Sequence, residues 1–114
     1  MVQIYHNPKC SKSRAGLEYL KTKAGVEFEI IDYLKTGITA ETIRQILQRL
    51  NVKPIELLRT QESYFKERLK GKIFSDEEWI QIIVENPKLL KRPIIVNKYK
   101  AVWADPANLT DKLF

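Results

Sequence analysis

Ile4-Tyr5-His6-Asn7-Pro8-Lys9-Cys10-Ser11-Lys12-Ser13-Arg14 joins a short apolar run, residues 2–5, to a helical pattern that starts near Cys10 and runs to about Ala24. The run reads as a strand, and His6-Asn7-Pro8 breaks it. Cys10, the single cysteine, falls at the junction. The first turn of a helix leaves backbone N–H groups without partners and carries partial positive charge. A thiol placed there has its thiolate, the reactive form, stabilised. Lys9, Lys12 and Arg14 add cations, and Arg14, four residues after Cys10, shares its helix face. A lone cysteine is often a small buried hydrophobe. The flanking Lys9, Ser11 and Lys12 are poor company for a core position, so the stretch reads as a reactive thiol in an anion site.

Outward from this junction, the pattern is α/β. Leu17, Leu20 and Ala24 follow helical spacing, and Gly25 is placed to end that helix. Residues 27–32 alternate into Ile30-Ile31 as a second strand, which predicts a parallel βαβ unit. A helical middle follows. Thr39 caps an apolar stripe of Ile43, Ile46, Leu47 and Leu50, closed by Asn51. Pro54 opens a short helix carrying Leu57, Leu58 and Arg59, and residues 63–69 are weakly helical. Ser75 to Glu78 is a capping box before Trp79, Ile82 and Ile83, and Asn86-Pro87 ends that helix. Ile94-Ile95-Val96 is β-branched throughout, as in a strand buried on both faces. A tight turn at 97–100 leads to Ala101-Val102-Trp103 as an edge strand. Asp105-Pro106 reads as an N-cap and first helical position for a last helix with Leu109 and Leu113. The expected fold is a thioredoxin-like mixed four-stranded sheet in one domain, residues 1–114, with a helical insertion at about 38–88.

The chain has 114 residues, 44% hydrophobic and 30% charged, which is the composition of an ordinary globular domain. No apolar run approaches the roughly 18 residues needed to span a membrane, and residues 1–20 lack a secretion-signal pattern. One cysteine makes no internal disulfide, so a reducing cytoplasm is the expected compartment. The net charge of +6 gathers in residues 9–23 and 88–100, which suits small anions or an acidic partner. A helix-turn-helix over 42–59 lacks the glycine common in such a turn, and no nucleic acid is expected. His6, the single histidine, supplies no metal cluster; it either orients the Cys10 loop or takes the thiol proton. Ser13 completes a Cys-x-x-Ser pattern in which serine cannot resolve a disulfide, so the resolving thiol must come from another molecule.

His6-Asn7-Pro8-x-Cys10-x-x-Ser13-Arg14, Glu56-Leu57-Leu58-Arg59 and Lys91-Arg92-Pro93-Ile94-Ile95-Val96 together resemble the glutaredoxin-coupled arsenate reductase family of thioredoxin-fold proteins, over nearly the whole chain. That resemblance implies that Cys10 attacks an oxyanion or disulfide, that Arg59 and Arg92 (with Arg14 nearby) hold the anion, and that Pro93 is cis against the cysteine. It implies glutathione as external reductant, glutaredoxin as partner and no bound cofactor. A third family arginine falls on Asp105, or on Ala104 with the gap moved by one, and neither is an arginine. With that cation missing, arsenate reduction is expected to be weak or undetectable unless Lys98 or Lys100 substitutes from the neighbouring turn, and Ala104→Arg is expected to recover part of it. The phosphatase-like arsenate reductases need Cys-x5-Arg, where this chain has Gly16, and are excluded. The alternative is a non-catalytic member of the fold resembling the Spx-type regulators that bind RNA polymerase.

Overall fold

A computed structural model describes residues 1–114. The chain divides into two compact units, one formed by residues 1–36 and 92–114, the other by residues 37–91.

The first unit holds β1 (Val2–Tyr5), α1 (Ser11–Lys21), β2 (Phe28–Ile31), α2 (Tyr33–Thr36), β3 (Ile94–Val96), β4 (Ala101–Trp103) and a terminal 3-10 helix (Ala107–Leu113). The sheet order is β2-β1-β3-β4. β1 pairs parallel with β2, while β3 runs antiparallel to β1 and β4 antiparallel to β3. The apolar residues expected of these elements close one core: Val2, Ile4, Leu20, Ile95, Val102, Ala104 and Leu113 are buried together, flanked by Leu17, Val26, Phe28 and Leu109. β3 is buried at all three positions, as its unbroken β-branched run requires. α1 and the terminal helix pack against each other, and Tyr19 and Lys23 both reach Asp111.

The register fixes what stands at each end of the sheet. Tyr5 pairs with Ile94, and Ile94 with Trp103. The chain leaving β1 through His6, the chain entering β3 through Arg92-Pro93 and the chain leaving β4 through Ala104-Asp105 therefore meet at one end. The turn with Lys98 and Lys100 lies at the other. Both Arg92–Pro93 and Asp105–Pro106 peptides are cis.

Several expected boundaries shift. α1 stops at Lys21, because Thr22 turns its hydroxyl back to the Tyr19 carbonyl, and Ala24 is exposed. Gly25 instead takes φ 75° in the turn before β2. β2 is an edge strand and leaves Ile30 48% exposed. Asp105 is not a helix cap: Pro106 occupies that position, and the last helix is 3-10.

The second unit contains α3 (Ala40–Leu50), a 3-10 turn (Pro54–Leu57), a π-helical turn (Phe65–Leu69), α4 (Asp76–Glu85) and a 3-10 turn (Pro87–Leu89). α3 starts where the Thr39 hydroxyl accepts the Thr42 N–H and ends at Asn51 in the left-handed region, φ 57°. Ser75 and Glu78 form the reciprocal capping box that opens α4. The buried face of α4 is Trp79, Ile80 and Ile83, with Ile80 in the place expected of Ile82. The short helix after Pro54 ends at Leu57; Leu58 is extended and bridges Leu90.

Candidate active site

The Cys10 loop is built by its own hydrogen bonds. The Cys10 N–H donates to the Asn7 carbonyl, and the Asn7 side-chain oxygen accepts the Lys9 N–H at 3.0 Å, an Asx turn. Ser13 is fully buried. Its hydroxyl oxygen accepts the Asn7 N–H at 2.9 Å and lies 2.7 Å from His6 Nδ1. Burial lowers the His6 pKa, which holds the imidazole neutral near pH 7. The sign follows: protonation is disfavoured in the folded state, so His6 subtracts stability as pH falls below the histidine value of about 6.5. His6 and Ser13 are thus joined as the brace of the loop. Arg14, four residues after the cysteine, turns its guanidinium to the Pro8 carbonyl at 3.0 Å and clamps the same loop.

Cys10 is the N-cap of α1, with extended backbone, and is half-buried. Burial raises its thiol pKa. The Ser13 and Lys12 backbone N–H groups and the Arg92 guanidinium favour negative charge on the sulfur, and together they outweigh that burial and hold the pKa below the ordinary thiol value. Arg92 is itself 8% exposed, and its carbonyl receives the Trp103 indole N–H. Alkylation by neutral iodoacetamide should therefore follow a single titration with its midpoint below the free-thiol value of about 8.5. The rate falls only as pH drops through that lowered midpoint. A midpoint at or above the free-thiol value would remove the thiolate from the site.

Arg59 lies in the second unit. Its N–H donates to the Leu89 carbonyl at 2.7 Å, and its guanidinium pairs with Glu62 at 3.1 Å. Any anion taken by Arg59 must compete with Glu62, a partner that the sequence pattern does not flag.

The position of the third expected cation is the largest departure. Asp105 Oδ2 lies 3.0 Å from Lys12 Nζ. Lys98 and Lys100 sit at the opposite end of β3 and β4 from Arg92, and Lys98 stands over the Tyr99 ring. The lysine that answers position 105 is Lys12, two residues beyond the cysteine. Ala104 is 1% exposed within the apolar core, so an arginine there would bury a charge and not restore an anion ligand. Residue 105 is the place to add one.

Residues 5–107 match the ArsC family. The chain belongs to the ArsC family. The chain is 47% identical over 102 residues to the uncharacterized protein YfgD of Escherichia coli, covering 88% of this chain and 85% of that one. It is 34% identical over 107 residues to an arsenate reductase of Haemophilus influenzae, covering 92% and 91%. The solved structure of an arsenate reductase from Vibrio cholerae superposes with a TM-score of 0.91 at 34% identity, covering 99% of this chain and 97% of that one. The mixed four-stranded sheet with its helices is the thioredoxin-like fold of those ArsC structures. The family and its arsenate reductase members support a thiol-dependent oxidoreductase.

Proposed function

We propose that Cys10 is the nucleophile of a thiol-dependent reductase that attacks an oxyanion or a disulfide and is turned over by external glutathione. The observation that carries this reading is the Cys10 sulfur at the α1 N-terminus, facing the N–H groups of Lys12 and Ser13 and the Arg92 guanidinium. Those donors favour negative charge on sulfur before attack and on the anion that adds to it. With an oxyanion such as arsenate, the Cys10 sulfur displaces one oxygen as water and forms a sulfur–arsenic(V) bond. Glutathione thiolate then attacks the Cys10 sulfur. The sulfur–arsenic bond breaks with its electron pair going to arsenic, which leaves as arsenic(III). With a disulfide, Cys10 displaces one thiolate directly. Both routes leave Cys10 in a mixed disulfide. Ser13 cannot resolve it, because it carries a hydroxyl where a resolving residue needs a thiol; a second glutathione or glutaredoxin does. A glutathione-rich, reducing cytoplasm suits this cycle.

Treatment with oxidised glutathione should add one glutathione to the intact mass, at Cys10, and glutaredoxin with reduced glutathione should remove it. A folded protein that resists the adduct would sink the catalytic reading and favour a non-catalytic binding role for the basic face.

A further inference from the structure

Asp105 places a carboxylate at the end of the sheet where Cys10 and Arg92 meet, in surroundings that otherwise gather cations. Lys12 and Asp105 satisfy each other at the rim of the site, their side chains 56% and 26% exposed. An exposed ion pair contributes little, so a ligand opens it at small cost. What the ligand must bring follows from the two halves of the pair. A purely anionic ligand can take Lys12 only by leaving it to compete with Asp105, and it faces that carboxylate at close range. A purely cationic ligand meets Lys12 and Arg92. A ligand carrying both an ammonium and a carboxylate replaces the pair with like for like, its ammonium on Asp105 and its carboxylate on Lys12.

We infer that the Lys12–Asp105 pair is the specificity element of the Cys10 site and selects small disulfides of amino-acid type, whose arms carry an ammonium and a carboxylate together. The inference rests on the reading of Cys10 as a nucleophile. In the step concerned, the Cys10 thiolate attacks one sulfur of the disulfide, a new Cys10–sulfur bond forms, the old sulfur–sulfur bond breaks, and the other arm leaves as a thiolate. An external thiol such as glutathione then releases the bound arm as a mixed disulfide and regenerates Cys10.

The test uses the whole protein and three symmetric disulfides of graded charge: cystine with zwitterionic arms, cystamine with cationic arms and dithiodipropionate with anionic arms. Each rate of Cys10 modification is divided by the rate with neutral iodoacetamide, in the wild type, Asp105→Asn and Lys12→Met. Asp105→Asn should slow cystamine and speed dithiodipropionate, and Lys12→Met should do the reverse, each by about three- to tenfold at low ionic strength, as expected for one charge near the reacting sulfur. Cystine should slow in both variants, since it uses both partners. If the pair served only to hold the loop, the two variants would act in the same direction on all three reagents, and that result would overturn the proposal, as would no change at all. Iodoacetamide separates this failure from that of the parent reading. Slow, free-thiol-like alkylation in the wild type rejects the Cys10 nucleophile itself, whereas fast alkylation without charge discrimination rejects only the role of the pair.

Discussion

Gly16→Val should destabilise the protein by about 3 kcal/mol or more, the upper range of overpacking in a tight interior. Gly16 lies on the buried face of α1, and a Cβ built on it would stand 2.5 Å from Cγ of Pro93. No real Cβ tolerates that approach, and the atom it meets belongs to a proline ring that cannot swing aside. Alanine at the same place gains about 1 kcal/mol of helix propensity over glycine, which offsets part of the clash. Valine gains less and drives two more carbons into the ring. The helix must then move away from the start of β3, and with it the N–H groups of Lys12 and Ser13 move relative to the Arg92 guanidinium. Cys10 should lose part of its thiolate stabilisation together with the stability. Thermal unfolding with Ala15→Val, on the exposed face of the same helix, as the reference would measure the effect. Equal midpoints for the two variants would show that α1 yields freely at Pro93.

The second large effect concerns arsenate. Near neutral pH it carries one to two negative charges, and the Cys10 site meets it with Arg92, the α1 N–H groups and a carboxylate at position 105. A charge-assisted hydrogen bond is worth about 1.5–3 kcal/mol. One such donor fewer corresponds to a rate lower by roughly ten- to a hundredfold. Wild-type arsenate reduction with glutathione and glutaredoxin should accordingly be weak. Asp105→Arg should raise kcat/KM by at least about tenfold, because it removes a repulsive carboxylate, frees Lys12 and adds a guanidinium. Ala104→Arg should give no such gain and should lower the melting temperature, since Ala104 is packed in the core. Robust wild-type turnover that Asp105→Arg leaves unchanged would mean that this site needs no third cation.

The two results would also separate packing from charge. Gly16 controls how closely α1 approaches Pro93, and so the geometry of every donor on the Cys10 sulfur. Asp105 leaves that geometry alone and alters only the field that a ligand meets. A variant of the first kind should reduce all reactions of Cys10 together, and one of the second kind should change their ranking.

Local signals carried much of the fold. The strand–breaker–helix succession of residues 2–21 places Cys10 as the cap of α1, because a proline-containing break and a helical repeat are written in neighbouring residues. Thr39, Asn51 and the Ser75–Glu78 box mark helix ends in the same way, each through a hydrogen bond or backbone conformation that spans three or four residues. The unbroken run Ile94-Ile95-Val96 announces a strand buried on both faces. Where sequence and structure part, a distant partner decided. The alternation of residues 27–32 marks a strand but not its place in the sheet, and β2 ends up at the edge with Ile30 exposed. Asp105-Pro106 has the composition of a helix start, yet the carboxylate finds Lys12 instead.

The same division holds at the site. The amino-acid sequence alone places a single thiol at a helix N-terminus among cations, since dipole, capping position and charge all follow from residues within one helical turn of Cys10. It also determined that no second thiol on this chain can resolve it. Which distant groups join it depends on how the strands pair. The antiparallel register of β3 on β1 carries Arg92 to the sulfur and sends Lys98 and Lys100 to the far end. The same register, continued into β4, delivers Asp105 to Lys12 and buries Ala104 in the core. Hydrophobic periodicity records which face of an element is buried, but an ion pair between residues near the two ends of the chain leaves no periodic trace. It exists because strand pairing brings its members together.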